Sequence, residues 1–303
     1  MPATPIPLPV TVALAAPAAD LPTGSTWAYE VKMDGHRTVL AVDEQARVTL
    51  QAGRSHRNVT RAFPDLAEAA AALPSGTVLD GEAVVLHEGV VSFEAVQQRA
   101  LSGPTRAARL AAKLPATLVA FDALAVAGTD LRARPYSTRR QALLDVLAPL
   151  GPPLEPVLAT RDRGEALLWM DALRPQGIEG IVAKRVTERY PAGRRSWVKV
   201  RHAALGDGAA VGYTGRPQRP DRLIVKVEGR WLLSTPLDLP TARVLAQALE
   251  TAGAADVAAA GPVRVLRDGT RYRPLGVDVP VEVEVGTTRH RHVTVRRLRP
   301  DLM

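Results

Sequence analysis

The sequence predicts an α+β fold in which antiparallel sheets and helices precede a small β-barrel. Segments rich in Val, Leu and Ile, bounded by turn residues, are mixed with amphipathic helical segments and lack the regular strand–helix–strand rhythm of a parallel sheet. After His202 the composition changes, because Gly, Pro and Arg become frequent and short valine-alternating strands surround one helix. We therefore predict one domain over residues 1–204 and a second over 205–303, joined by a hinge near 203–208.

The N-terminal domain is predicted to contain seven strand-bearing segments and four helices. The strand segments are residues 26–35, 36–42, 46–53, 76–89, 116–128, 178–186 and 196–201. Apolar residues at i, i+3 and i+4 predict helices in 63–73, 91–102, 137–150 and 163–174. The first three strand segments are expected to form a meander or hairpin, and Asp80-Gly81 is expected to be a tight turn between two strands.

The C-terminal domain is predicted to be an OB-fold. Its alternating segments at 223–235, 277–288 and 290–300 read as strands, and 241–253 reads as a helix. A handful of short strands with one helix in about 100 residues is typical of that barrel.

Charge and composition narrow the functional classes. The net charge of +8 and pI near 10.3 favour a polyanionic partner. The sequence has no cysteine, which excludes disulfides and thiolate metal sites. It has no uncharged apolar run long enough to span a membrane, and its Pro-rich start lacks the basic residues of a signal peptide. A cytoplasmic monomer with no membrane association is expected.

Lysine is rare enough to be informative. Five of the 39 basic residues are lysine (Lys32, Lys113, Lys184, Lys199 and Lys226), which leaves 34 arginines (39 − 5). Arginine stays charged at accessible pH, whereas lysine can act as a neutral nucleophile. Three of the five lysines fall in or beside strand segments that carry acidic or aromatic residues. Because alternate residues of a strand share a face, such strands can direct these side chains into one cleft.

Five short segments occur in a fixed order: KMDGHR from Lys32, LDGEAVV from Leu79, FDAL from Phe121, EGIVAKR from Glu179 and WVKVR from Trp197. In this order they resemble the nucleotidyltransferase motifs of the ATP-dependent DNA ligases, most closely those of short bacterial ligases and the ligase modules of end-joining polyproteins. The resemblance covers nearly the whole chain, because the tail is similar to the OB-fold domain of that family. It implies an adenylation (nucleotidyltransferase) domain followed by the OB-fold.

The resemblance implies a role for each matched residue. Lys32 is expected to carry AMP covalently, since a phosphoramidate needs a neutral amine. Glu82 and Glu179 are expected to hold a divalent metal, Mg²⁺ or Mn²⁺, or the ribose. Lys184, Lys199 and Arg201 are expected to grip or steer phosphate. The remaining ATP or AMP contacts are expected from Glu30 in the adenine pocket, Arg37 at the ribose or phosphate, Phe121 under adenine, and Arg54 at the nucleotide or the nicked strand.

The C-terminal segment departs from the family pattern. Arg299, Pro300 and Asp301 match the motif that orients pyrophosphate, but Leu302 stands where the family has lysine. Arg296 and Arg297, just upstream, are expected to serve in part. We therefore expect self-adenylation, the first step of the reaction, to be slow or to be helped by neighbouring arginines. The OB domain is expected to swing about the hinge between steps, and no further DNA-binding domain is recognised ahead of the motifs.

The function implied is sealing of nicks in double-stranded DNA with ATP through a lysyl-AMP intermediate, in repair, recombination or end joining. Basic stretches at 108–113, 135–140, 191–196 and 214–222 are expected on exposed loops that bind DNA phosphates. Two alternatives remain open. One is an RNA ligase or another related nucleotidyltransferase, and the other is a non-catalytic DNA-binding relative.

Overall fold

The structure, a computed structural model, describes residues 5–251, 262–266, 268–286 and 293–299. The chain divides into two compact units, Met1–Arg201 and His202–Met303, which we call the N-terminal and C-terminal units. Within the described ranges, no helix is long and apolar enough to cross a membrane.

The N-terminal unit contains twelve strands and five α-helices in its described residues. The strands are β1 (Ala15–Pro17), β2 (Trp27–Met33), β3 (His36–Val42), β4 (Val48–Ala52), β5 (Thr77–His87), β6 (Val90–Val91), β7 (Ala116–Val126), β8 (Thr129–Asp130), β9 (Leu154–Pro156), β10 (Ala159–Thr160), β11 (Ile178–Arg185) and β12 (Trp197–Arg201). The helices are α1 (Pro64–Ala70), α2 (Phe93–Ala100), α3 (Pro104–Lys113), α4 (Tyr136–Leu147) and α5 (Arg163–Ala172), with short 3₁₀ turns at Thr60–Ala62 and Arg174–Gln176.

Two mostly antiparallel sheets form this unit, which confirms the α+β class. The five-stranded sheet has the order β1-β12-β11-β2-β10, and the seven-stranded sheet is built on the order β4-β3-β5-β7-β8. One face of the seven-stranded sheet packs on α1, α2 and α4 through a large apolar cluster that includes Leu79 and Leu118. Its other face packs on the five-stranded sheet, where Val39 and Leu124 share a cluster with Trp197.

The predicted meander is wrong at its first turn. β3 pairs with β4 as expected, but β2 belongs to the other sheet, so Asp34 and Gly35 carry the chain across from one sheet to the other. The crossing is tight, because a Cβ on Gly35 would lie 2.4 Å from the carbonyl oxygen of Ala83. Lys32 and Arg37 consequently lie on different, facing sheets although they are five residues apart.

The predicted turn at Asp80-Gly81 is also absent. β5 runs unbroken from Thr77 to His87, and the turn comes at Glu88 and Gly89, both with positive φ. Gly81 has another use, because a Cβ there would lie 2.9 Å from Val119 O on the neighbouring β7. The glycine allows close strand packing, so sequence alone could not separate it from a turn glycine.

The described residues of the C-terminal unit form a β-barrel with one helix. It comprises β13 (Ala203–Arg216), β14 (Arg219–Val227), β15 (Arg230–Leu233), α6 (Leu239–Thr251), β16 (Arg264–Val265), β17 (Arg271–Gly286) and β18 (Val293–Leu298). The strands pair in the order β15-β14-β13-β17-β16, and β18 pairs with β17. A parallel bridge between Ser234 and Val293 joins the end of β15 to β18 and closes the barrel around Tyr213 and Leu223.

The stretch predicted as a hinge, residues 203–208, is the start of β13. It pairs continuously with β17, from Ala203 opposite Gly286 to Gly208 opposite Val281. Small Ala and Gly side chains resemble a linker in composition, yet their backbone groups are free to form a sheet ladder. Only His202 lies between β12 and β13.

One buried arginine joins α2 to α1, to the first 3₁₀ turn and to the end of α3. Arg99, on α2, has a fully buried side chain whose guanidinium donates to both carboxylate oxygens of Asp65, at 2.5 and 3.1 Å. It also donates to Ala62 O at 3.2 Å and to Leu114 O at 2.6 Å. The ends of the first 3₁₀ turn and of α3 are thereby held by the same side chain.

Replacing this arginine tests how much the clamp contributes to stability. Arg99→Ala leaves Asp65 without its cation and two carbonyls without their donor, so we expect a loss of about 3 kcal/mol in the free energy of unfolding. Urea unfolding of the full chain measures it, with the exposed Arg109→Ala as control, expected within about 0.5 kcal/mol of wild type. Equal stability of the two variants would contradict the clamp.

Candidate active site

Lys32 lies on the face of the five-stranded sheet that is turned towards the seven-stranded sheet. Its ammonium donates to Glu179 Oε2 in a short ion pair and lies 3.4 Å from Met33 O. The other oxygen of Glu179 lies 2.6 Å from Arg201 Nε, an ion pair without the angle of a hydrogen bond. Glu179 is almost wholly buried, whereas Lys32 and Arg201 are partly exposed. One buried carboxylate therefore holds two cations at the edge of a cleft.

An irregularity in strand pairing places Glu179 there. β11 pairs with β2 at Ile178 opposite Met33 and again at Gly180 opposite Lys32, which leaves Glu179 as an extra residue. Such a bulge re-aims a side chain. Gly180 follows the bulge with φ +156°. A Cβ at this position would lie 2.0 Å from Val200 O on β12. Glycine is required at this position for β11 to approach β12.

Lys199 and Arg201 extend the same face. Lys199 lies opposite Val182, and Arg201 lies opposite Gly180, so both share the side of the sheet that carries Lys32. Partial burial, reinforced by the charges of Arg201 and Lys32, lowers the pKa of Lys199 to about 8, and Arg54 adds to the effect. The structure thus brings three predicted cations, Arg201, Lys32 and Arg54, close enough to Lys199 to lower its pKa, an arrangement suited to a polyphosphate.

Glu30 and Lys184 form a separate buried group on the same face. Glu30 accepts a hydrogen bond from Tyr136 at 2.6 Å and lies 2.8 Å from Lys184 Nζ. Lys184 Nζ also donates to Phe121 O at 2.7 Å and lies 3.9 Å from Asp122. Burial lowers the pKa of Lys184, while Glu30 and Asp122 oppose that shift.

This environment differs from the one expected for Lys184. The resemblance implied that Lys184 grips phosphate beside Lys199, but its ammonium is only 1% exposed and contacts Glu30 and a carbonyl of the facing sheet. It also lies 4.1 Å from the centre of the Trp197 ring. A lysine enclosed in this way links the two sheets and holds Glu30.

Arg37 is held by Asp80 of its own sheet and by the N-terminal segment. Its guanidinium donates to both oxygens of Asp80, at 3.1 and 2.7 Å, and to Ala13 O at 2.6 Å. Tyr190 donates to the same Asp80 at 2.6 Å. The side chain remains 20% exposed at the cleft, so one edge of this arginine stays accessible.

Glu82 is the acidic residue on the opposite wall. It lies across from Arg37 in the β3–β5 ladder and is partly exposed. Burial raises the pKa of Glu82 to about 7, although Lys32 and Arg37 oppose the shift. In the part of the chain that the structure covers, its carboxylate makes no hydrogen bond or ion pair, which leaves both oxygens available to a ligand.

Phe121 occupies a second irregularity. β7 pairs with β5 at Asp122 opposite Asp80 and then at Ala120 opposite Gly81, so Phe121 has no direct partner. Its ring meets Trp197 edge to face at 5.9 Å, and the charged ends of Arg37 and Lys184 lie 5.2 and 4.8 Å from its centre. The ring is half-buried where the two sheets meet.

The residues of the C-terminal motif are only partly described. Arg297 lies in β18 opposite Glu282, and Arg299 follows that strand and donates its backbone N–H to Pro280 O at 2.7 Å. Asp301 lies outside the described residues. Arg296, also in β18, forms a short ion pair with Glu284.

A metal could be held at Glu82 and Glu179 only with help from water or substrate. Among the described residues, no group of three or more His, Asp or Glu side chains is arranged to hold an ion. Magnesium commonly takes one or two carboxylates and completes its shell with waters and phosphate oxygens. The free oxygens of Glu82 fit that pattern.

Sequence reasoning missed the residues that fix the site from behind. Asp80 and Asp122 were visible as letters of the motifs, but no role was assigned to them. Tyr136 and Arg139 fall in a stretch predicted as an exposed basic loop, yet both are buried in α4, where Arg139 donates to Asp122 at 2.6 and 3.0 Å. Nothing in the residue pattern around Arg139 indicates a buried ion pair.

Comparison with known proteins gives a consistent result. Residues 14–201 match the family described as ATP dependent DNA ligase domain. DNA ligase C2 of Mycolicibacterium smegmatis is 37% identical over 206 residues, which are 68% of this chain and 57% of that protein. DNA ligase C of Mycobacterium tuberculosis is 34% identical over 214 residues, 69% of this chain and 59% of that protein. The chain thus spans less than two thirds of these curated relatives.

Solved structures resemble the chain over more of its length. The ligase domain of M. tuberculosis LigD has a TM-score of 0.56 at 28% identity, with 96% of this chain and 95% of that one covered. A mycobacterial DNA ligase D complexed with ATP and MES has a TM-score of 0.54 at the same identity and coverage.

The shifted carboxyl of Glu82 predicts a pH dependence of stability. Its folded pKa of about 7 exceeds the unfolded value of 4.5, so the folded protein holds this proton more tightly and stability falls as pH rises through that window. Relative to Glu82→Gln, wild type should lose about 1 to 2 kcal/mol between about pH 5 and pH 8, as measured by urea unfolding.

Asp43→Asn is the control for this titration. Hydrogen bonds from Arg47 lower the pKa of Asp43 below 3.8, so its difference from wild type should stay constant over the same pH range. A constant difference for Glu82→Gln as well would contradict the raised pKa.

Proposed function

Because this chain belongs to the family of ATP-dependent DNA ligase domains, as its five motifs predicted, we propose that it seals nicks in duplex DNA at the expense of ATP. The observation that carries the proposal is the position of Lys32, which is partly exposed on the sheet face turned towards the other sheet, in contact with Glu179 and near Lys199 and Arg201. The two units then correspond to an adenylation domain and an OB-fold domain.

The first step is attack by the neutral Lys32 amine on the α-phosphorus of ATP. A P–N bond forms to Nζ, the P–O bond to the β-phosphate breaks, pyrophosphate leaves, and the nitrogen loses one proton to solvent or a nearby base and keeps one N–H. The ion pair with Glu179 fixes the nitrogen in advance, which reduces the entropy cost of reaching the attack geometry. The amine must separate from that carboxylate to become a nucleophile.

The cations on the five-stranded sheet are suited to the charge of the reacting phosphates. Lys199 and Arg201 flank Glu179 on β12, and Arg54 approaches from the loop after β4. Fixed positive charge around a phosphoryl group in a cleft stabilises its transition state without reorganisation. Lys184 is left with a positioning role, because its ammonium is committed to Glu30.

The nucleoside would lie against the inner part of the cleft. Glu30 presents a carboxylate held by Tyr136 and Lys184, and a carboxylate in that state can accept a hydrogen bond from an exocyclic amine. Phe121 offers a half-buried ring for stacking on the base. Arg37, which has one accessible edge, is placed to contact the ribose or a phosphate.

Glu82 and Glu179 would hold the divalent cation, Mg²⁺ or Mn²⁺. Glu82 has no competing protein partner among the described residues, whereas Glu179 must exchange Lys32 or Arg201 for the ion. A bound cation would neutralise charge on the phosphate oxygens and the leaving group.

The later steps pass AMP from Lys32 to the 5′-phosphate of the nick, after which the 3′-hydroxyl attacks and releases AMP. In the first transfer the P–N bond breaks and a pyrophosphate bond forms; in the second, a phosphodiester bond replaces it. The DNA phosphates would be bound by basic side chains, so binding should weaken steeply with salt.

A labelling experiment tests the assignment of Lys32. With [α-³²P]ATP and Mg²⁺, wild type should become labelled and should then seal nicked DNA, whereas Lys32→Arg should show neither activity above background, because arginine keeps the charge and supplies no neutral amine. Lys226→Arg, an exposed lysine of the barrel, is the control. Label retained by Lys32→Arg would overturn the assignment, and preferential sealing of nicked RNA would change the acceptor class.

The lowered pKa of Lys199 predicts how the rate of adenylation depends on pH above neutrality. With a pKa of about 8, Lys199 loses its charge as pH rises through that value, whereas arginine would keep it. The ratio of kcat/KM for Lys199→Arg to that of wild type, measured for ATP, should therefore rise several-fold between about pH 7 and pH 9.5. A ratio that stays level, as expected for Lys226→Arg, would contradict a phosphate-binding charge at Lys199.

A further inference from the structure

We propose that the exposed face of α3, formed by Arg106, Arg109 and Lys113, binds the phosphate backbone of the duplex flanking the nick. The inference rests on the proposed function and adds to it a contact surface that lies outside the five motifs. The sequence had placed residues 108–113 on an exposed basic loop, but they form the second half of a ten-residue helix.

The three cations form one stripe. Arg106, Arg109 and Lys113 are spaced i, i+3 and i+7, which puts them on the same side of an α-helix, and all three are exposed. Within the described residues, none of them forms an ion pair with a carboxylate. The opposite side of α3 is represented by Ala107, which is fully buried.

Helix stability does not account for this stripe. The helix contains no acidic residue, so its first turn lacks the negative charge that would interact favourably with the helix dipole. Like charges at this spacing repel, at a cost of about 0.2 to 0.5 kcal/mol for each pair. Only Lys113, in the last turn, is favoured by the dipole. A polyanion that relieves the repulsion explains the pattern.

The stripe is fixed beside a second group of exposed cations. Arg99 donates to the carbonyls of Ala62 and Leu114, which directly follow Arg61 and Lys113 in the chain. Because one guanidinium reaches both carbonyls, the backbone at Arg61 lies next to the C-terminal end of α3. Arg61 is also exposed, and no described carboxylate pairs with it.

From Arg61 the basic residues lead back to the cleft. Arg57 and Arg54 lie exposed on the loop after β4, and Gly53, which precedes them, donates to Arg37 O at 2.8 Å. Arg54 lies near enough to Lys199 to lower its pKa. Asp65, which lies at this junction, is paired with Arg99. The exposed cations Arg54, Arg57 and Arg61 therefore lie on the chain segment that leads from the neighbourhood of Lys199 to the C-terminal end of α3.

The dimensions suit a phosphate backbone. Arg106 and Lys113 are seven residues apart, or roughly 10 Å along the helix axis. That distance corresponds to about three base-pair steps of duplex DNA. The stripe would follow the backbone of one arm of the nicked duplex rather than the nick itself.

The test compares the binding of nicked duplex DNA by two full-length triple variants. Arg106→Gln/Arg109→Gln/Lys113→Gln removes the stripe, and Arg134→Gln/Arg174→Gln/Arg189→Gln removes three exposed cations elsewhere in the same unit. Both lower the net charge by three, and glutamine is compatible with helix. Binding is measured by fluorescence anisotropy between about 50 and 200 mM salt, with a 3′-dideoxy nick to prevent sealing.

The α3 variant should bind about tenfold or more weakly at about 100 mM salt, with a salt-dependence slope shallower by about 2 to 3. Its defect should shrink when the duplex arm on one particular side of the nick is shortened, because the lost contacts lie there. Self-adenylation should stay at the wild-type rate, which shows that the ATP site is intact.

An equal loss of affinity in the control variant would overturn the surface, since total charge alone would then explain the effect. An unchanged slope in the α3 variant, with normal adenylation and sealing by wild type, would overturn the surface and leave the proposed function standing. Failure of wild type to become adenylated would overturn both.

Discussion

Charge burial between two facing sheets is the constraint on which this site depends. Ionised groups removed from water must be paired, and here each buried acid has a defined cation: Asp80 with Arg37, Glu30 with Lys184, Asp122 with Arg139, and Glu179 with Lys32 and Arg201. Because Lys184 bonds to the carbonyl of Phe121 on the opposite sheet, these pairs also set how closely the sheets approach. Glu82 differs, because among the described residues its carboxylate forms no ion pair. Its raised pKa follows from burial that the nearby cations Lys32 and Arg37 offset only in part.

The site is built by irregular strand pairing as much as by residue type. Glu179 and Phe121 are both supernumerary residues in their ladders, one on each sheet. In regularly paired strands, side chains alternate strictly between the two faces of the sheet. A bulge bends the strand and redirects the side chain of the extra residue. Glycines next to both sites, Gly180 and Gly81, let the adjacent strands close around the distortion. In the dipeptides Glu179-Gly180 and Asp80-Gly81, the glycine thus meets a packing requirement and the acidic residue a chemical one.

Sequence reasoning reached the family, the α+β class, the barrel and the helices α1, α2, α4, α5 and α6, because apolar periodicity and motif order are local signals. It failed where glycine had two possible meanings. At Gly35 the chain changes sheet instead of forming a hairpin, at Gly81 a strand continues, and over 203–208 a glycine-rich segment pairs with β17. It also failed for α3, whose charges obscured the weak apolar spacing. The buried Arg139 and Tyr136 could not be foreseen, since only tertiary packing shows that Asp122 and Glu30 need donors.

The redirected strands have a consequence for how the chain length can vary. Since successive side chains alternate between faces, adding or losing one residue between Gly180 and Lys184 would turn that lysine to the apolar side of the sheet and leave Glu30 without its cation. Two residues would restore the phase but shift the pairing with β2. In turns outside the ladders, such as the one at Glu88 and Gly89, a change of one residue does not move strand side chains to the other face. Insertions and deletions among descendants of this sequence should therefore collect in those turns and be excluded from the strands that face the cleft.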